Sequence, residues 1–305
     1  MRRWIGRSCL LLAFFSIGSC GEKEREEAPD NFYKGTIHIS CDESFKPVMD
    51  AQVDVYQNSF PDAKIIVHYK PEADCLRDMA VDSIRMIIAT RGFSEMERAF
   101  MLDSLKVQPT SSIIAKDAIA VIVNPNNPDS FFTMNRIRDL VSGKLKENLI
   151  PVFDGTRATS TVRFMLDSVL RVSTLGQNVV AAQSSQGVVD YVANTPNAVG
   201  FLGVSWVGNQ EDTLQKSFLK KVRIARLEST DSVGGFVQPV QYLIYTRTYP
   251  MIRDLVYVLK EKHIGLGTAF ANFLKSSRGQ LVFRRAYLQP VIYRFYIREA
   301  ELREE

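Results

Sequence analysis

Leu149-Ile150-Pro151-Val152-Phe153-Asp154-Gly155-Thr156-Arg157-Ala158-Thr159-Ser160-Thr161-Val162-Arg163-Phe164 is the stretch that sets the class of fold. The apolar run ending at Phe153 reads as a strand, the small residues after it as a loop, and Ser160 to Leu170 as a helix. Three consecutive hydroxyl residues, Thr159, Ser160 and Thr161, stand where that helix starts. Helix N-termini carry unpaired N–H groups and about half a positive charge, so they attract anions. The hydroxyls have two readings, as ordinary N-caps or as donors to tetrahedral oxygens, and this junction alone favours capping.

The same strand-then-helix order runs along the whole chain. Thr36 to Ser40 alternates as a strand, and Ser44 to Ser59 has helical apolar spacing. Lys64 to Tyr69 and Ile84 to Ala89 read as strands, and Glu72 to Val81 and Ser94 to Asp103 as helices, with Ser94 and Glu97 forming a capping box. Ser111 to Ala115 and Ala118 to Val123 read as separate strands with Lys116-Asp117 between them. Asn124-Pro125-Asn126-Asn127-Pro128 then breaks regular structure and separates two βα series. Beyond it come helices at Met134 to Ser142, Ser184 to Asn194, Leu266 to Lys275 and Arg278 to Tyr287. Strands are expected at Asn178 to Ala182, Ala198 to Leu202, Val222 to Leu227, Tyr242 to Tyr245 and Leu255 to Leu259. This alternation predicts α/β layers with mostly parallel sheets, in two lobes.

The chain has 305 residues, 46% hydrophobic and 24% charged, which excludes disorder and collagen-like structure. Its +4 net charge includes Arg2, Arg3 and Arg7; without them 35 basic side chains face 34 acidic ones, leaving +1. A near-neutral body gives no support for nucleic-acid binding. Residues 1–19 read as a signal peptide, with a basic start and an apolar run too short to span a membrane. Ile17-Gly18-Ser19-Cys20 looks like a bacterial lipobox, so Cys20 is expected to carry lipid and to tether a soluble body in the cell envelope, facing the periplasm or the surface. Residues 20–31 form the expected flexible tether, with folded structure starting near Phe32. Outside the cytoplasm Cys41 and Cys75 are permitted a disulfide, though free buried cysteines are equally ordinary.

Signatures of catalysis are missing. There is no H-E-x-x-H, C-x-x-C or G-x-x-x-x-G-K-[ST], and Gly203-Val204-Ser205-Trp206-Val207-Gly208 misses the G-x-S-x-G elbow by one residue. A hydrolase using Ser160 or Ser205 lacks an evident His–acid partner. His38, His68, Cys41 and Cys75 can be drawn as a zinc site, but histidines on strands are usually packed or solvated. No metal or cofactor is expected. Donor clusters instead recur at β-to-α junctions: Ser44 after the first strand, Thr90-Arg91 after the third, Thr159 to Thr161, and Ser184-Ser185. In open α/β sheets, ligands bind at the carboxyl ends of strands.

Asp42-Glu43-Ser44-Phe45, Ala89-Thr90-Arg91, Ala120 to Asn124, Ala158-Thr159-Ser160-Thr161-Val162-Arg163, Gly200-Phe201-Leu202-Gly203, Tyr249 to Arg253, Gly265 through Phe273 and Arg278-Gly279-Gln280 together form a specific set. With them the chain, over about residues 35 to 290, resembles the periplasmic phosphate-binding proteins of ABC importers in the lipoprotein form typical of Bacteroidetes. The resemblance implies a type II periplasmic-binding-protein-like clamp with lobe I at residues 32–123 plus 240–305 and lobe II at 124–239. It implies that a monomer closes around inorganic phosphate and delivers it to ABC permease subunits. It assigns contacts to Ser44 and Phe45, Thr90 and Arg91, and Thr159, Ser160, Thr161 and Arg163. The family's aspartate after the third strand is absent, and Asp42, Glu43 and Asp74 are candidates to replace it. Molybdate, sulfate, or a surface or sensing role on the same fold therefore stay open.

Overall fold

The computed structural model describes residues 30–155, 158–261 and 263–292; the expected signal peptide, the expected lipidation site Cys20 and most of the expected tether lie outside them. The first series comprises β1 (Gly35–Asp42), α1 (Lys46–Ser59), β2 (Ala63–Lys70), α2 (Glu72–Asp78), β3 (Ile84–Ala89), α3 (Glu95–Leu105) and β4 (Thr110–Val123). Next come β5 (Phe131–Phe132), α4 (Met134–Ser142), β6 (Ile150–Phe153), α5 (Ser160–Phe164), β7 (Val180–Ala181), α6 (Ser185–Asn194) and β8 (Ala198–Gly203). Short pieces follow: α7 (Thr213–Leu219), β9 (Arg223–Ile224), β10 (Arg226–Glu228), β11 (Phe236–Val237) and α8 (Gln241–Tyr245). The chain then forms β12 (Ile252–Leu259), α9 (Leu266–Lys275), α10 (Ser277–Arg285) and β13 (Gln289–Pro290).

One mixed sheet of ten strands organises the molecule in the order β2-β1-β3-β12-β4-β8-β6-β7, with β9 and β13 also pairing β4. Each flank is parallel: β1 with β2 and β3, and β6 with β7 and β8. The centre is antiparallel, because β12 and β4 run against their neighbours. The expectation of mostly parallel pairing thus holds only for the flanks, since the two long strands are the crossings between the series. The first half of β4 pairs β12, and residues 119–123 pair β8 instead.

Lys116-Asp117 does not interrupt the chain's extended run; β4 is continuous for 14 residues. Cross-strand partners make this possible. Asp117 stands opposite Arg253 and Lys116 opposite Asp254 in the β4–β12 register, and both pairs form ion pairs, at 2.7 and 2.6 Å. Opposite charges facing across a ladder stabilise it rather than break it. Tyr242 to Tyr245 is helical, not extended: it joins none of the strand ladders among the described residues, its two tyrosines are exposed, and Gln241 holds it to Leu288 of the neighbouring segment. Val222 to Leu227 divides into β9 and β10, which pair different partners.

One hydrophobic core runs from Ile37, Met49 and Tyr56 through the centre of the sheet to Phe153 and Phe201, whose rings stack at 4.6 Å. Gly200 lets α6 lie flush on β8: a Cβ there would meet Val188, Val192 and Ile122 within 2.9 Å. The folded body also begins earlier than Phe32. Asp30 is buried, with its carboxylate on Arg85 at 2.6 and 2.8 Å, on His263 at 2.9 Å and on the Leu266 N–H at 2.5 Å. A charge with that many partners is held in place, so the flexible reading fails at this residue. Cys41 and Cys75 are buried free thiols. His38 and His68 stack on each other 2.9 Å apart at their ring nitrogens, and the two cysteines bond backbone carbonyls instead of joining them.

Candidate anion-binding site

The carboxyl ends of β1 and β6 face each other across the sheet's centre, and the residues after them meet. After β1, Asp42 caps a tight turn through the Ser44 N–H at 2.9 Å, leaving Ser44 and Phe45 buried before Lys46-Pro47 starts α1. After β6, Thr159 is the N-cap of α5, its hydroxyl accepting from the Val162 N–H. Capping therefore falls on Thr159, not on Ser160, whose side chain is fully buried in the first turn. The Ser44 and Ser160 hydroxyls lie 3.2 Å apart although 116 positions separate them.

Arg253, from β12, completes the group. Its Nη1 donates to Ser160 at 2.8 Å and Thr161 at 3.3 Å, its Nε donates to Asp117 at 2.7 Å, and its guanidinium lies 5.0 Å over the Phe45 ring. Ser205 and the Trp206 indole both donate to the Ser44 carbonyl, fixing the turn from the far side. Gly203 fits closely here: a Cβ would stand 3.0 Å from Arg253 Nη2 and 3.3 Å from the Ser44 carbonyl.

Carboxylates crowd the same place. Asp42, Asp117 and Asp154 are buried. Ser160 stands near Asp42 and Thr159 near Asp154, each favouring the charged form of its neighbour. Burial pushes the Asp42 and Asp117 carboxyls up, and Arg253 offsets only some of that rise. Asp154 is pushed up to about 7 by burial and by the neighbouring Asp42. Four buried atoms lack a hydrogen-bond partner in this small region: Asp42 Oδ2, Asp117 Oδ1, Asp154 Oδ1 and Arg253 Nη2. Orphaned buried polar atoms are costly, and their convergence marks a place shaped for something polar.

The other expected residues separate into two groups. Thr90 and Arg163 join Glu72 beside the centre: Arg163 Nε donates to Glu72 at 2.5 Å, Arg163 Nη2 to the Thr90 hydroxyl at 2.5 Å, and Thr90 N–H and hydroxyl to Glu72. This ties α2 to α5, with the Ala73 N–H donating to the Ala158 carbonyl alongside. Arg91 is not brought to the centre. It is engaged by a two-pronged pair with Glu97 at 2.7 and 2.9 Å, and that guanidinium holds the Glu97 carboxyl down at about 2. Ser184-Ser185 does not face the centre as free donors either, because Glu43 occupies it: Ser185 hydroxyl and N–H both donate to that carboxylate.

Arg253 is the member that sequence reading missed as a contact. The signal was a charged pair, Arg253-Asp254, at the start of an apolar run, matched by Lys116-Asp117 between two others. Thr90, Lys116, Arg163, Arg247, Arg253 and Asp254 line a cavity of about 440 Å³ that approaches Arg253 from outside.

Two α/β halves joined through crossing strands, with donors from both converging between them, define a clamp of the periplasmic-binding-protein kind. Residues 26–278 match the PBP superfamily domain, and the chain belongs to that superfamily. It is 21% identical over 272 residues to the phosphate-binding protein PstS of Pseudomonas aeruginosa, covering 81% of this chain and 80% of the relative. It is 23% identical over 288 residues to PstS of Bacillus subtilis, covering 88% and 87%. A phosphate ABC transporter substrate-binding protein from Clostridium perfringens, solved with phosphate bound, superposes with TM-score 0.70 at 20% identity, over 85% of this chain and 100% of that one. An ABC-type phosphate transport receptor from Vibrio cholerae gives TM-score 0.61 at 17% identity, over 83% and 99%.

Proposed function

We propose that this chain is a lipid-anchored solute-binding protein that captures inorganic phosphate between lobe I (residues 32–123 and 240–305) and lobe II (residues 124–239). It then delivers the anion to an ABC permease, without covalent chemistry. The observation that carries this is the buried cluster in which the Ser44 hydroxyl meets that of Ser160 and Arg253 Nη1 donates to the Ser160 and Thr161 hydroxyls. Hydroxyls and one guanidinium present donors without excess charge, which suits a tetrahedral oxyanion that must later be released. The contacts are Ser44, Phe45, Thr159, Ser160, Thr161 and Arg253, with Thr90 and Arg163 bracing the neighbouring contact between the lobes. Closure by hinge motion would use the β4 and β12 crossings. Asp42 and Asp154 favour phosphate over sulfate, because only an oxyanion bearing a proton satisfies an acceptor carboxylate.

A thermal-shift titration with phosphate, sulfate and molybdate tests the reading. A ligand at 100 times its dissociation constant stabilises by about 2.7 kcal/mol, a rise of several degrees in Tm. Phosphate should give that rise and sulfate little, and Ser160→Ala should shrink it. A larger shift with sulfate or molybdate would move the assignment to that anion, and no shift with any of them would favour a surface or sensing role.

A further inference from the structure

Counting charges in the cleft leads beyond the identity of the anion. Asp117 and Arg253 make one neutral pair. That leaves Asp42, at the end of β1, and Asp154, at the end of β6, as two buried carboxylates sharing the cleft with no second arginine or lysine among the groups bonded to them. The groups facing Asp154 are Asp42 and Glu43 from the turn after β1, Arg253 from β12, and the Thr159 hydroxyl from its own loop. Glu43 is itself engaged by Ser185, and the further carboxylate felt by Asp42, Glu72, is engaged by Arg163 and Thr90. The hydroxyls that would hold an oxyanion stand beside these acids: Ser160 accepts from Arg253 and lies 3.2 Å from the Ser44 hydroxyl, and Thr159 accepts from the Val162 N–H.

An incoming phosphate must take those hydroxyls over. Each carboxylate then gains a negative neighbour, and each already has one oxygen with no partner. Buried like charges at contact distance do not coexist; one of them takes a proton. We propose that capture in this cleft is proton-coupled: the anion and the Asp42–Asp154 pair bind protons from solution together, so that phosphate is held through shared protons rather than as a bare dianion. The inference rests on reading the cleft as a phosphate site. It names Asp154, which that reading uses only to favour phosphate over sulfate, as the residue that couples affinity to pH. The raised Asp154 carboxyl, at about 7, places the coupling in the neutral range. Which oxygen carries each proton does not alter the stoichiometry, since interacting sites titrate as a unit.

The test is calorimetric titration of phosphate into the folded protein at pH 7.5, in three buffers of different ionisation enthalpy. The observed heat should vary linearly with buffer ionisation enthalpy, with a slope corresponding to uptake of about one proton per anion. Asp154→Asn, neutral at every pH, should cut that slope by at least half and flatten the rise in affinity expected between pH 8.5 and 6. Asp42→Asn should also lower it, which supplies an independent variant if one of the two does not fold. A slope of zero in the parent with measurable binding overturns the proposal, as does a slope that neither variant changes. Absence of any phosphate binding, with the melting transition intact, overturns the phosphate reading itself and this inference with it.

Discussion

Arg253 stands where an unpaired charge costs most, with its side chain only 3% exposed and Asp117 beside it fully enclosed. Removing one partner of a buried pair strands the other, at a cost of roughly 3–5 kcal/mol, whereas replacing both with apolar residues is often neutral. Arg253→Met should therefore lower stability by about 3–5 kcal/mol in urea titrations. The double variant Asp117→Leu/Arg253→Met should recover most of that loss yet bind no phosphate in equilibrium dialysis. Recovery of binding with the double variant would show that the guanidinium holds only the fold. Arg91 is the opposite case. Its pair with Glu97 is half-exposed, so Arg91→Ala should change phosphate affinity by less than about threefold. Ser44, Ser160 and Thr161 were legible in the sequence because hydroxyls at β-to-α junctions have a local signature. Arg253 and Asp117 were not, because their pairing spans 136 positions and each alone looks like the polar edge of a strand.

At the scale of elements, the junctions are paired across the cleft. Glu43, beyond β1, docks on the start of α6 through Ser185, and Glu72 at the start of α2 takes Arg163 of α5. These two clasps lie beside the candidate anion site and draw the same two halves together. They explain why the hydroxyls at Ser184-Ser185 and at Thr90 are not free donors. The sequence could place those residues at junctions but could not show that Glu43 of the other series would occupy Ser185, or that Glu72 would occupy Thr90. Loss of a hydrogen bond to a charged group costs about 1.5–3 kcal/mol. The double variant Glu43→Gln/Glu72→Gln should shift the ligand-free protein toward open forms, seen as a larger radius of gyration in solution scattering. Phosphate affinity should fall by at least about tenfold, since binding then has to supply the closure. A radius unchanged by the double substitution would show that β4 and β12 alone set the closure. The strands carried their own lesson: β4 and β12 were each legible as apolar runs, but their antiparallel pairing, and the continuity of β4 through Lys116-Asp117, depend on partners far away in the chain.

For the whole molecule, the acids fall into two populations that oppose each other with pH. Asp30 feels burial, but Arg85, the Leu266 N–H and His263 outweigh it and hold it at about 2; Glu97, held chiefly by Arg91, is also at about 2. Such groups contribute stability above the ordinary carboxylate range near 4, and it is lost as pH falls toward 2. Asp42, Asp117, Glu43 and Asp154 are raised instead, by burial first in every case. A raised acid contributes stability in full below its unfolded value, and that contribution is lost as pH rises through the folded one. For Asp154 the window runs from near 4 to about 7, and a shift of that size corresponds to something on the order of 4 kcal/mol at most. The ligand-free protein should therefore be most stable near pH 4 and lose stability between about pH 4 and 7 in denaturant titrations. Asp154→Asn should remove much of that alkaline loss and raise stability at pH 8 above the parent's, because the buried charge is gone. The acid limb below pH 4 should stay as it was, since Asp30 and Glu97 lie elsewhere in the fold. Equal stability of parent and variant at pH 8 would mean that Asp154 already finds enough partners as a carboxylate in the ligand-free protein, and the electrostatic account of the cleft would fail.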